Sequence, residues 1–402
     1  MIHLDISKLN ITDKEYASLK SRLNKIRGTA IPAFDSHVED IPPLMRIMKK
    51  YKKYDNLIVI GNGGSNTSFK AFHNALVSLD HPKKAFILTT MEPDRINELK
   101  KALPKRKTLV MPISKSGNTV GIMEAMFAFE GYKILPVTTP DSGALYMIVK
   151  KMGWDYIPHG PVGGRFSGLT ASGLAPAEFF GIDIEALDNG ARDMYKICNP
   201  LMTIDKNPAL QLAASLYLLD QKGYDEIFCP IYSSALSGFS NLIVQLIHES
   251  VGKKNQGQTI YCADAPESQH HTNQRFFGGK KNVCGVFVTV ENQQDKESKV
   301  KVPDQLKRIK MNDGLLSNLN GVSYEKALEF EFEGTWQDAV KNKIPVAKVS
   351  MNNISPHNVG EFLAFWEYVA VYSALLRGLN PYDQPQVEAS KEISFRLRKE
   401  HK

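Results

Sequence analysis

The sequence predicts an α/β protein built from two doubly wound parallel-sheet domains with helices on both faces. Three observations predict it. Between residues 55 and 160, β-like runs alternate with helical segments, the pattern of a parallel sheet covered by helices. Those runs are nearly all apolar, as strands buried on both faces are. A second set of alternations opens at EIFCPIY (226–232), after a mainly helical stretch over about 170–222. The expected division is an N-terminal helical segment (1–54), a first domain (55–222) and a second domain with C-terminal helices (223–402).

In chain order, DNLIVIG is followed by a polar–apolar stretch to about 78. Then come AFILTT, a helix near 93–103, TLVMPIS, a helix near 119–131, KILPVTT, a helix near 143–152 and DYIPH. NPLMTIDKNP (199–208) breaks one helix and starts another. The second unit continues with a helix over about 234–250, TIYCAD, another helix, VCGVFVTV and AKVSMNNI (347–354). The charged region 292–345 reads as surface elaboration. A long apolar helix (357–378) and a basic amphipathic one (386–399) close the chain.

Bulk properties narrow the function. The 402 residues are 43% hydrophobic and 23% charged, enough for two buried cores and unlike a disordered chain. The longest apolar run, FLAFWEYVAVYSALL (362–376), is interrupted by Glu367, falls short of the roughly 18 residues of a membrane span, and reads as a core helix. MIHLDISKLN lacks the basic-then-apolar pattern of a signal peptide, so a cytoplasmic location is expected. Cys198, Cys229, Cys262 and Cys284 are far apart with no CxxC pair, which implies free thiols in a reducing compartment and no metal site. The net charge of +7 is spread over scattered lysines and suits a mild preference for anionic ligands. Neither a nucleic-acid nor a membrane partner is expected.

LIVIGNGGSNTS (57–68) poses the first functional question, because an apolar strand feeds a glycine-rich turn. A dinucleotide site needs a third glycine and an acid about 20 residues on. Asn66 occupies the glycine position, and AFILTT ends in Thr89 and Thr90. The third strand ends in ISKSGNT (113–119), a second hydroxyl-rich turn opening a helix. In a parallel sheet both turns sit at the carboxyl edge. There Ser65, Ser114, Ser116 and Thr119 meet helix N-termini that favour an anion. Each alone can be an N-cap; two such turns together suit a compact phosphomonoester.

Groups that can move protons lie farther along. GPVGGRFSGLTASGLAP (160–176) sets Arg165 beside glycines, where it serves either as an oxyanion stabiliser or in a structural ion pair. QLIHESVGKK (245–254) places Gln245 and Glu249 on one helical face. Burial at that helix end would raise the Glu249 pKa toward the range of a general base. His270 and His271 follow a strand in APESQHHTNQRFFGG (265–279), and Gln384 and Lys391 lie seven residues apart in NPYDQPQVEASKEI (380–393).

Taken in order, GNGGS, SKSGNT, GGRFS, Q-x-x-x-E-S-x-G-K, S-Q-H and Y-D-Q-x-x-V-E-x-x-K resemble the phosphoglucose isomerase family over about 55–395. The resemblance implies two sugar-isomerase (SIS-type) domains and aldose–ketose isomerisation of glucose 6-phosphate and fructose 6-phosphate through a cis-enediol. It implies that Ser65, Ser114, Ser116 and Thr119 hold the sugar phosphate, with Gly64, Lys115 and Gly164 lining the site. Glu249 would be the base, Arg165 the stabiliser of the enediolate, His270 the ring opener assisted by Lys391, and Gln245 and Gln384 the groups orienting hydroxyls. A homodimer with shared active sites and no cofactor or metal is implied. Asn62, Asn118 and Ile122 depart from the family pattern, as do Pro385-Gln386 and Ala389-Ser390. Two other readings stand beside this one: an isomerase that also accepts mannose 6-phosphate, and a regulator that senses a sugar phosphate without catalysis.

Overall fold

The computed structural model describes residues 2–401. The first strands are β1 (Ile2–Lys8), β2 (Asn56–Ile60), β3 (Lys84–Leu88), β4 (Thr108–Ser114), β5 (Lys133–Ile134), β6 (Val137–Thr138) and β7 (Ile157–Pro158). The second half adds β8 (Glu226–Ile231), β9 (Thr259–Asp264), β10 (Val283–Val290), the short hairpin β11 (Lys310–Met311) and β12 (Gly314–Leu315), and β13 (Val346–Met351).

β2 through β7 form one parallel sheet in the order β3-β2-β4-β6-β7, with β5 also on β4. β8, β9, β10 and β13 form the parallel part of a second sheet, ordered β1-β13-β10-β8-β9. Strands β2 and β4 are buried along their whole length, as apolar strands between two helical layers must be.

Two expectations need correction. The N-terminal segment is not purely helical, because β1 pairs antiparallel with β13 and completes the second sheet. Its IHLDISK alternates apolar and polar side chains, the period of a half-buried edge strand. Nor is 292–345 only surface elaboration. Helix Tyr324–Lys341 buries Phe332, Thr335 and Ala339, and Phe332 and Trp336 stack edgewise on Phe287 of β10. This helix covers one face of the second sheet.

Helix Pro356–Leu376 fastens the halves together. It packs against helices Ile184–Cys198 and Pro208–Gln221 of the first half and Ser240–Val251 of the second. It is long and apolar enough to cross a membrane, yet 94% of its most apolar stretch lies inside the protein. Its start is written locally. Ser355 accepts the Asn358 N–H at 3.3 Å, and Pro356 fills the first turn, where no N–H is needed. Asn207-Pro208 opens Pro208–Gln221 by the same device, with the Leu210 N–H at 2.9 Å from the Asn207 side chain. Each large apolar side chain buried along this helix contributes roughly 1.5–3 kcal/mol. The carboxyl group at its centre, Glu367, is fully buried.

Candidate active site

In the first sheet the chain leaves β2 toward β3 on one flank, while β4 leads toward β6 on the other. The carboxyl ends of β2 and β4 therefore flank the point where strand order reverses, where open α/β sheets take ligands. GNGGS leaves β2 and SKSGNT leaves β4.

Gly63–Ser65 is a single 3-10 turn before helix Thr67–Leu76, and Ser65 is half-buried in it. In the second turn, Ser114 is buried with its Oγ 3.0 Å from Thr119 Oγ1, and Thr119 is the N-cap residue of helix Val120–Phe127. Ser116 is exposed, and its Oγ accepts the Asn118 N–H at 3.2 Å. Lys115 reaches Pro161 O at 3.3 Å, and burial pulls its ammonium below the ordinary lysine range.

The unusual residues in these turns have structural work. Asn118 Oδ1 accepts the Ala144 N–H at 3.0 Å and so caps the neighbouring helix Gly143–Met152. Ile122 is 2% exposed and belongs to the core under β2 and β4. With its amide oriented by the hydrogen-bond pattern, Asn62 donates to Gly61 O at 3.2 Å and Thr89 O at 3.1 Å, bridging the ends of β2 and β3.

The arginine turn, Gly164–Phe166, lies directly on the first glycine turn. A Cβ on Gly64 would stand 1.9 Å from Gly164 O and 2.7 Å from Arg165 N. The two backbones touch where no side chain fits between them, and this brings Arg165 beside the hydroxyl-rich edge.

Arg165 is 4% exposed, and every donor of its guanidinium is engaged. Nε donates to Ser250 Oγ at 3.2 Å, and Nη1 to Glu249 Oε2 at 3.0 Å and Gln384 Oε1 at 2.9 Å. Nη2 donates to Pro381 O, and to Asp383 O at 3.1 Å. Burial weighs against its charge, and the Glu249 carboxylate offsets part of that. Glu249 sits in the last turn of Ser240–Val251. Gln245, one turn earlier, donates to Glu249 Oε1 at 3.0 Å and accepts from Thr67 Oγ1 at 3.2 Å.

The structure thus gathers Gly64, Ser65, Ser114, Lys115, Ser116, Thr119, Gly164, Arg165, Gln245, Glu249 and Gln384 on one side of the first sheet. The apolar seal expected around Glu249 is not there. Its side chain is 29% exposed and meets a guanidinium instead, because it stands at the helix end that faces the first half.

His270 and Lys391 stand apart from this cluster. The helix that carries Glu249 meets the start of β9, where His248 Nε2 accepts the Ile260 N–H at 3.1 Å. His270 follows the other end of β9 and is exposed. From Ile260 to Asp264 the strand alone spans about 13 Å. Lys391 pairs with Glu388 at 2.8 Å on helix Glu388–Glu400, which buries none of its side chains. That helix is moored to the second turn's helix, since Arg398 Nη2 reaches Glu124 Oε2 at 2.9 Å.

Lys253 and Asp383, like Ser250, are polar residues of this region to which the sequence assigns no role. Lys253, 7% exposed, donates to Asp383 Oδ1 at 2.6 Å and to Asn380 O. It holds the Asp383 carboxyl below the usual range. Both lie inside ESVGKK and PYDQ, but a pair 130 residues apart leaves no mark on local spacing.

The phosphoglucose isomerase family model matches residues 46–402. A glucose-6-phosphate isomerase of Methanocaldococcus jannaschii is 28% identical, covering 98% of this chain and 97% of that protein. Among solved structures, a hypothetical protein of Thermus thermophilus superposes with a TM-score of 0.85 at 25% identity, covering 99% of each chain. A glucose-6-phosphate isomerase of Chlamydia trachomatis shares the fold at a TM-score of 0.80 and 19% identity, covering 98% of this chain and 88% of that one.

Proposed function

Because this chain belongs to the phosphoglucose isomerase family, we propose that Arg165 and Glu249 form the centre at which it moves a proton between C1 and C2 of a hexose 6-phosphate. The chain interconverts glucose 6-phosphate and fructose 6-phosphate. The observation that carries the assignment is the Glu249 carboxylate 3.0 Å from Arg165 Nη1, at the edge where the two hydroxyl-rich turns end. Removing a proton next to a carbonyl needs a positioned base and a charge opposite the developing oxyanion.

In this reading the open-chain aldose places its phosphate against Ser65, Ser114, Ser116 and Thr119, with Gly64, Gly164 and Lys115 close by. Glu249 takes the proton from C2, and Arg165 faces the negative charge that develops on the enediolate. The proton on O2 passes to O1, and Glu249 returns its proton to C1. Gln245 holds the carboxylate, and Gln384 orients a sugar hydroxyl.

The placement of His270 fits a second chain better than its own. It follows the far end of the strand whose start meets the Glu249 helix, so a neighbouring copy in a homodimer is the proposed source of the ring-opening group. Lys391, free of buried packing, is assigned to assist it. The two sheets support reading 55–222 and 223–402 as two sugar-isomerase domains. A cytoplasmic, glycolytic enzyme is the proposed setting, in keeping with four free cysteines, of which burial pushes Cys198 and Cys284 up to about 12.

The test supplies fructose 6-phosphate and follows glucose 6-phosphate. Glu249→Gln keeps the shape and removes the base, so kcat is expected to fall by about 10³-fold or more. Activity unchanged in that variant would sink the assignment.

A further inference from the structure

Gln384, proposed to orient a sugar hydroxyl, meets Arg165 Nη1 at 2.9 Å, yet it lies in irregular chain. Residues 380–384 fall between the core helix Pro356–Leu376 and the exposed helix Glu388–Glu400. Asp383 is largely exposed, and no sheet or helix fixes this stretch. Besides the Tyr382 ring against Phe166, two cations fix it. Arg165 holds it from the first half through Pro381 O, Asp383 O and Gln384 Oε1. Lys253 holds it from the second half through Asn380 O and the Asp383 carboxylate.

Lys253 is itself aimed by a closed turn. It follows directly on Gly252, the C-cap of the Glu249 helix, and its N–H bonds Val251 O at 2.8 Å. Lys254 and Asn255 adopt left-handed conformations (φ 53° and 56°), and a bridge from Lys253 to Gln256 closes the turn. The ammonium leaves this turn inward. A buried ammonium is a poor choice for stability alone, because an apolar side chain of similar volume often serves as well or better. Its geometry instead ties the helix that carries the base to the segment that carries Gln384.

We propose that Lys253, paired with Asp383, is a positioning residue for the isomerisation, clamping residues 380–384 so that Gln384 stays registered on Arg165, which in turn holds Glu249. This rests on the roles proposed above for Gln384 and Glu249. A misplacement of about 1 Å can cost about 100-fold in rate. Lys253 reaches the reaction only through the segment it holds.

The test measures kcat and KM for fructose 6-phosphate, with the thermal unfolding midpoint, in Lys253→Met, Asp383→Asn, Gln384→Ala and the double variants with Gln384→Ala. Lys253→Met is expected to lower kcat by about 10–100-fold while KM changes less, and Asp383→Asn to lower it in the same direction. In the Gln384→Ala background, Lys253→Met is expected to lower kcat less than about twofold further, because both changes break one arrangement. Two results would overturn the clamp: losses that multiply in the double variant, or a parental kcat in both Lys253→Met and Asp383→Asn. Were Lys253→Met not to fold, Asp383→Asn and its double variant with Gln384→Ala give the same reading. A parental kcat in Gln384→Ala alone would instead overturn the role of Gln384, and the clamp with it.

Discussion

Gly64 carries more of the site than its lack of a side chain suggests. An added Cβ would meet only main-chain atoms, Gly164 O at 1.9 Å and Arg165 N at 2.7 Å, and no rotamer change can relieve that. At Gly164 the same addition meets nothing within 4 Å. Gly64→Ala should therefore destabilise the fold by about 1–3 kcal/mol, as overpacking does, while Gly164→Ala should leave the unfolding midpoint near the parent's. Denaturant titration of the two variants reads the difference; equal midpoints would show that the turns part freely. At this scale the sequence was legible where chemistry is local. Glycine and hydroxyl turns, an arginine between small residues, and a glutamine one turn before a glutamate all sit within a few positions of one another. The Lys253–Asp383 pair and the Ser250 contact to Arg165 join distant stretches, and no spacing rule points to them.

Among the elements, helix Pro356–Leu376 holds the most exacting contact. Glu367 is wholly buried, with one oxygen 2.6 Å from the Tyr195 hydroxyl and the other without a hydrogen-bond partner. Burial drives its pKa well above the ordinary carboxylate value, with Asp35 nearby adding to the rise. The folded chain thus keeps a proton that the unfolded chain releases above about pH 4.3. This contribution to stability is full below that value and is lost as pH rises toward the folded pKa. Glu367→Gln should flatten that part of the dependence, raising stability at pH 8 relative to the parent more than at pH 4. Urea unfolding at the two pH values checks it, and parallel curves would refute it. The helix itself was readable from its apolar run. The helix Tyr324–Lys341 was not, because its buried stripe is only Phe332, Thr335 and Ala339 among charged neighbours. β1 was missed for a related reason: seven alternating residues stand beside a long helical, charged stretch.

Across the whole molecule, the strand order of the first sheet reverses beside the turns that lead to the candidate site, and one core helix spans the two halves. The alternation of strands and helices made this architecture legible. The separation of His270 from Glu249 was not, since both follow strands of the same sheet and only the three-dimensional path shows which end each occupies. If a neighbouring copy supplies His270, two damaged enzymes can complement each other. Glu249→Gln and His270→Ala homodimers, each nearly inactive, should regain activity when dissociated together and reassembled. A mixed dimer then holds one intact site beside one carrying both substitutions. Mixtures no more active than their components would place His270 within its own subunit's site or outside catalysis.

The backbone contact between Gly64 and Gly164 has one more consequence. It sets the spacing between the first hydroxyl-rich turn and the Arg165 main chain by backbone against backbone, with no side chain as a shim. If the hydroxyl turns hold the substrate phosphate as proposed, this contact acts as a ruler: the number of carbons that fit between phosphate and reacting centre depends on two touching turns, and a substitution that leaves those turns in contact leaves that length unchanged.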